Sequence, residues 1–351
     1  MDSRKHALVV GATGVVGRNM ISHLLRDGNW EITAISRRAP DLVGAFNHVS
    51  VDLLDADDTN SKLQRIRGIT HVFYSAYLER GSWAEGTAPN NAMFSNLLDA
   101  LVPAMMEIQH INLMHGTKWY GSHLGPFKTP AKEHDPRGPG PNFYHDQQDL
   151  VSERQRGQHW TWSTVRPHAI CGFATGNPMN LINVIAVYAT LAKARGLPLV
   201  FPGTEANFNA LYQCVDAGHL ARAVAWMATE PSCGNHAFNI TNGDTFRWKN
   251  VWPSIARYFE LEVGPQQHMS LVDSMRDLAP LWGRLASEHA LQPVPLDQLV
   301  AWRFGDSVFG SGYDMISSTT KARQFGFHEV VDSEDMFPRI FNELRANRVI
   351  P

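Results

Sequence analysis

Through the first half of the chain, short β-branched apolar runs alternate with longer stretches whose apolar positions recur at helical spacing. HALVVG (6–11), EITAISRR (31–38), THVFYSAY (70–77), IQHINLMHG (108–116) and TWSTVRP (161–167) read as strands. Between them VVGRNMISHLLRD (15–27), NNAMFSNLLDALVPAMM (90–106) and FYHDQQDLVSERQR (143–156) read as helices. That alternation predicts an α/β fold, a doubly wound parallel sheet with helices on both faces. After Pro167 it breaks down. Residues 180–196 and 215–230 read as helices and HAFNIT (236–241) as one more strand. The last hundred residues, rich in Trp, Phe and Met, suit a helical lobe over a pocket, or a second packed core.

GATGVVG (11–17) falls where the first strand should turn into the first helix. Glycines there permit a tight turn, close approach of backbone N–H groups to a pyrophosphate and close helix-to-strand packing. The helix N-terminus adds partial positive charge. The candidate dinucleotide contacts begin with Gly11, Gly14 and Gly17. The second strand ends in SRR, not in the acidic residue that an NADH enzyme uses on its ribose. Arg37 and Arg38 could grip a 2′-phosphate, favouring NADPH, or form an exposed basic pair. Asp52, in VDLLD (51–55), could meet the adenine edge or serve as a turn or cap aspartate.

Composition narrows the partners. The 351 residues are 44% hydrophobic and 19% charged, with a net charge of −3, which is globular and leaves no basic footprint for nucleic acid or an anionic membrane. No run approaches 18 apolar residues, and no leader or membrane span is expected. Cys171, Cys214 and Cys233 stand far apart with no CxxC pair, which fits a reducing cytoplasm and suggests neither disulfides nor a cysteine-rich zinc site. Two histidines, His115 and His123, flank Lys118 without metal-site spacing.

A reductase of this architecture commonly places Tyr and Lys at YxxxK spacing, and none of the eight tyrosines has a lysine four residues on. Lys118, in HGTKWYGSHLGPF (115–127), follows the fourth predicted strand at the carboxyl edge where such folds bind ligands. Tyr144, in PGPNFYHDQQD (139–149), opens the next helix near the same edge. A phenol there could donate to a substrate oxygen, with Lys118 lowering its pKa and holding the nicotinamide ribose. His145 could modulate that pKa, but adjacent helical residues point apart.

GTKWY, LGPF and NFY, with SRR upstream and RPHAICGF downstream, resemble the progesterone 5β-reductase/iridoid synthase (PRISE) family of extended short-chain dehydrogenases. The resemblance spans nearly the whole chain. It implies that Lys118 matches the lysine of an xTGxKHYxGPF segment and Tyr144 the first tyrosine of NFYYxxED. It implies an NADPH-binding Rossmann domain over 1–175, its sheet completed by part of 212–241, and a smaller helical substrate lobe from 176–211 and 242–351. Cofactor contacts are implied at Thr13, Gly14, Val15, Arg37, Arg38, Asp52, Leu53, Ala76, Met114 and Ile170, with others around Asn177 to Met179. The implied reaction is NADPH-dependent 1,4-reduction of activated enones and enals.

Several positions depart from the family. Four residues, 121–124, stand where one is usual, His145 replaces the second Tyr of NFYY, and Gln148 replaces the glutamate of xxED. Ala169 stands where plant members often have Asn, and Tyr77 where Trp is usual. The candidate pocket residues are Tyr77, Trp83, Trp119, Phe127, Ala169, Phe173 and Met179, each equally readable as core. The expected substrate is a small hydrophobic carbonyl compound, and homodimer formation is left open. The rivals are a ketone or aldehyde reductase using the same pair, a non-catalytic NADPH sensor, and a sugar-nucleotide epimerase, which would normally carry YxxxK.

Overall fold

The computed structural model describes residues 4–101, 106–174, 177 and 179–351. Strands β1 (Lys5–Val10), β2 (Trp30–Ser36), β3 (Asn47–Ser50), β4 (His71–Tyr74), β5 (His110–Met114), β6 (Thr161–Pro167) and β9 (His236–Ile240) form one seven-stranded sheet. Its order is β3-β2-β1-β4-β5-β6-β9, and every pairing is parallel. β7 (Ile170–Cys171) and β8 (Val215–Asp216) form a separate parallel pair.

The run HALVVG lacks polar alternation because both faces of its strand are covered. Ala7 and Val9 face α1 (Val15–Asp27) and α7 (Ala217–Thr229) through Met20, Ile21, Leu24 and Leu220. Leu8 and Val10 face the other way, into a core shared with Phe94, Leu97 and Leu98 of α3 (Trp83–Leu101). Chain order reverses between β1 and β4, which opens the crevice at the carboxyl ends where such sheets bind ligands.

Two local features differ from the sequence pattern. Strand β3, NHVS, is a half-exposed edge without an apolar run. Helix α3 begins at Trp83, seven residues before the predicted start, although it contains Gly86 and Pro89. Asn90 explains the extension. Its Nδ2 donates to the carbonyls of Leu78 and Gly86, and its Oδ1 accepts from Leu78 N–H, fastening the first turns to the preceding loop. The predicted continuation through 102–105 lies outside the described residues. On the same face lie α2 (Ala56–Leu63) and α4 (Phe143–Gln155).

The C-terminal half holds α5 (Leu181–Ala194), α6 (Glu205–Asn209) and α8 (Trp248–Tyr258). It continues as α9 (Leu271–Ser274), α10 (Ala279–Glu288), α11 (Leu296–Leu299), α12 (Trp302–Gly310), α13 (Thr320–Gln324) and α14 (Ser333–Ala346). Helix α5 is buried at every position from Leu181 to Ala192, which accounts for a sequence apolar on all sides. With α12 and α14 it anchors a second core containing edge-to-face contacts among Phe201, Trp248, Trp252 and Phe309. The expected boundary at 175/176 falls on residues outside those described. Among the described residues, no helix is long and apolar enough to cross a membrane, and no group of three or more His, Cys, Asp or Glu could hold a metal.

Candidate active site

The glycine loop is shaped by close backbone contacts. Gly11 has φ +87°, and a Cβ there would lie 2.8 Å from Ala76 N and Ser75 C, so the loop and the end of β4 can meet only at a glycine. A Cβ on Gly17 would collide with the Gly11 carbonyl oxygen, which fixes α1 against the loop. Gly14 is different. It caps α1 with no side-chain hydrogen bond, and the first turn carries no acidic residue. The first N–H groups of α1 are left for an anion, as a pyrophosphate requires.

Around this loop, Thr13 is half-buried, Val15 packs on Ala174 and Ala217, and Ala76 adjoins Gly11. Arg37 and Arg38 are exposed just beyond β2. Asp52 is exposed; its Oδ1 accepts from Leu54 N–H and its N–H donates to Asp58, while Asp55 caps α2. Leu53 is buried beneath, its carbonyl accepting from Asn96. Met114 ends β5 and Ile170 opens β7, both at the carboxyl edge.

Lys118 is presented by a turn absent from the sequence pattern. After β5 the chain stays extended through Gly116, then closes a 3₁₀ turn over Thr117–Tyr120 that ends at Gly121 with φ +83°. Asn142 joins this turn to Tyr144: its Nδ2 donates to the Lys118 carbonyl at 2.9 Å, and its Oδ1 accepts from Tyr144 N–H at 3.1 Å, capping α4. His145 Nε2 reaches the Trp119 carbonyl at 3.0 Å, so its imidazole braces the turn rather than addressing Tyr144. A Cβ on Gly116 would lie 3.5 Å from the Tyr144 hydroxyl, placing that hydroxyl over the backbone just past β5.

From beneath, the buried Arg166 on β6 stacks 3.7 Å from the Trp119 ring centroid and donates to Tyr120 Oη, Glu133 O and Gln148 Oε1. Gln148, where the family motif has glutamate, is thus a neutral acceptor for this cation. The pattern in the sequence pointed to neither Asn142 nor Arg166 as a support. A capping Asn directly before FY was the available signal for the former.

The side chains of Lys118 and Tyr144 meet a common wall. Lys118 Nζ rests 4.1 Å from the Trp83 ring centroid, and the Tyr144 ring lies 5.2 Å from it. Burial lowers the Lys118 pKa, with Glu79 opposing. Burial also raises the Tyr144 pKa, with Tyr77 adding to the effect. The expectation that Lys118 would lower it is corrected: desolvation dominates, and the phenol keeps its proton. His115 is buried 4.7 Å from the Tyr144 ring, both ring nitrogens without a partner among the described residues. Burial, with Arg166 and His145 adding, holds it neutral. Burial also brings His123 down to about 4, with Lys118 contributing, and its ring packs on Trp83.

The pocket candidates divide. Tyr77 and Trp83 stack with Phe143 beside the Lys118–Tyr144 pair. Trp119 instead points inward from the turn, buried against Arg166 and His145, because neighbours on a tight turn face apart. Phe127 stacks on Tyr120 and also packs against the helical core. Ala169 packs on that core with φ +39°. Phe173 faces Arg18 on the flank of α1, in a different cavity. Asn177 and Met179 are half-buried, and the Gly14 position opens toward Asn177 Nδ2; residue 178 lies outside the described residues.

A family model described as a PRISE-like Rossmann-fold domain matches residues 43–351. An (S)-8-oxocitronellyl enol synthase of Catharanthus roseus is 34% identical over 362 residues, covering 98% of this chain and 92% of its own length. A 3-oxo-Delta(4,5)-steroid 5-beta-reductase of Arabidopsis thaliana is 32% identical over 364 residues, covering 98% of this chain and 93% of its own. Among solved structures, a UDP-glucose 4-epimerase of Thermotoga maritima superposes with a TM-score of 0.70 at 14% identity, covering 97% of this chain and 99% of that one. The Bordetella bronchiseptica enzyme WbmG, in complex with NAD, gives a TM-score of 0.68 at 18% identity, covering 99% of this chain and 96% of that one. At those identities the structural likeness concerns the fold alone. The sequence relatives go further: the chain belongs to the PRISE-like Rossmann-fold family and is an oxidoreductase.

Proposed function

We propose that this protein is an NADPH-dependent reductase of activated C=C bonds, acting on small hydrophobic enones or enals. The observation that carries the reading is the half-buried Tyr144 phenol, tied through Asn142 to the backbone of Lys118, with burial pushing its pKa up. The relatives' names, an enol synthase and a steroid 5-beta-reductase, support the same chemistry. In this division of labour residues 1–175 hold the dinucleotide, and 176–211 with 242–351 cover the substrate.

When bound, NADPH would supply the hydride that reaches the β-carbon of the conjugated carbonyl. Gly14 and the free N–H groups of α1 would hold the pyrophosphate, and Arg37 and Arg38 the 2′-phosphate. Tyr144 donates a hydrogen bond to the carbonyl oxygen and strengthens it as enolate charge develops there. A phenol with a raised pKa stays protonated, so it is present as a donor and not as a phenolate. Lys118 holds the nicotinamide ribose, and a solvent proton then completes the α-carbon.

The test is NADPH oxidation with 2-cyclohexen-1-one beside cyclohexanone, and with an enal beside its saturated aldehyde, with products identified. Cyclohexanone formed from the enone is the expected result. Turnover of the saturated carbonyls alone would make the protein a carbonyl reductase, and tight NADPH binding without turnover would make it a sensor.

A further inference from the structure

A cavity of about 570 Å³ lies along the flank of α1, between that helix, α7 and α14. None of its lining residues belongs to the set assigned above to the dinucleotide. Four arginines line it, Arg18, Arg26, Arg222 and Arg339, against two carboxylates, Asp216 and Glu343. Two of the arginines are matched: Arg222 pairs with Glu329, and Arg339 with Asp216 and Glu343. Arg18 and Arg26 stand eight residues apart with Ser22 between them, one row on a single helical face. Neither has a carboxylate within ion-pair distance among the described residues.

Arg18 is the informative member. Its guanidinium lies 4.8 Å from the Phe173 ring centroid, half-buried at the cavity wall, and burial lowers its pKa with Asp41 as the opposing charge. The ring does not neutralise the charge, and a half-buried cation with no carboxylate in contact is less favourable than one completed by an anion. Planar guanidinium forks match phosphate oxygens in a bidentate manner. The volume falls in the range of about 300–1,000 Å³ common for small-molecule sites. Leu42, Phe173 and Ile340 provide an apolar wall for the body of such a ligand.

We infer that this cavity binds a small organic phosphate, separately from the dinucleotide, through Arg18 and Arg26. The inference does not depend on which bond the enzyme reduces. It is tested by calorimetric titration of the NADPH-saturated protein with adenosine 5′-monophosphate, ribose 5-phosphate and inorganic phosphate. If NADPH does not bind, the Arg37→Ala/Arg38→Ala protein replaces the saturated one, which separates failure of that reading from failure of this one. Saturable one-site binding of an organic phosphate is expected, weakened roughly tenfold or more by Arg26→Ala and by Arg18→Ala. Arg26 is exposed, so its variant tests the site without disturbing the packed face of α1. The inference is overturned by absence of saturable binding into the millimolar range. It is equally overturned by binding that both variants leave intact, or by equal affinity for inorganic phosphate, which would remove any role for the organic body.

Discussion

The glycine loop and the Lys118–Tyr144 pair lie at the same carboxyl edge of the sheet but are specified in different ways. The loop is contiguous: seven residues contain the turn, and the Gly17 clash with Gly11 O and Ala12 lies inside them, while Gly11 meets only the adjacent end of β4. The reactive pair is assembled. Its lysine comes from a 3₁₀ turn, its tyrosine from a helix 26 residues later, and one side chain, Asn142, bridges them. Local sterics can be read from one stretch of sequence; a bridged geometry needs the fold first.

The sharpest way to break the comparison is inside the loop. Gly17→Ala should cost about 3 kcal/mol or more, since the new methyl meets backbone that cannot yield. Thermal unfolding should show a large drop in Tm or no soluble protein. Gly14→Ala has only an ordinary 3.4 Å contact with Gly11 O and a φ of −72°, so stability should hold. NADPH affinity, read by fluorescence titration, should nevertheless fall roughly tenfold, the methyl entering the phosphate cradle. Equal Tm losses in the two variants would show that the loop's glycines are all structural.

The next effect falls on the assembled pair. Tyr144→Phe removes a donor worth about 3 to 4 kcal/mol to a developing oxyanion, so kcat should drop roughly 100-fold or more. Tm and NADPH affinity should barely move, because the hydroxyl has no protein partner among the described residues. Lys118→Ala should impair both turnover and cofactor affinity. Undiminished kcat in the phenylalanine variant would remove Tyr144 from the chemistry.

Asn142 tests the bridge itself, with a smaller effect. Asn142→Ala loses the α4 cap, worth about 1 kcal/mol, together with the bond to Lys118. Asn142→Asp keeps the capping acceptor but sets a carboxylate oxygen against the Lys118 carbonyl in place of the donor. The aspartate variant should therefore keep the cap and lose the bridge, with kcat falling severalfold, and the alanine variant should lose both cap and bridge. If the aspartate variant turns over normally, the Lys118 turn is positioned without the bridge.

How much was legible follows the same division. Strands buried on both faces announced themselves by apolar runs, and the glycine triplet by its place after the first of them. Strand β3 did not, being a polar edge, and the start of α3 was hidden by Gly86 and Pro89 until Asn90 could be seen fastening it. Lys118 and Tyr144 were legible as motif positions, but the direction of the tyrosine's pKa was not. Burial by Trp83 and Phe143, from α3 and α4, decides that, and no spacing encodes it.

The smallest expected effect concerns Ala169, where sequence gave the departure and structure its physical meaning. The residue sits between β6 and β7 with φ +39°, a left-handed conformation that costs an alanine about 1 kcal/mol. Asparagine tolerates that region better than alanine because its short polar side chain can bond locally. Ala169→Asn should therefore be neutral to stabilising by some tenths of a kcal/mol, even though the Ala169 methyl packs on the edge of the helical core. A rise of about one degree in Tm would place the strain in the backbone joining sheet to lobe. A fall would mean that the methyl contact outweighs it. The link between β6 and β7 would then be held by packing, as the reactive pair is, and not by backbone conformation, as the glycine loop is.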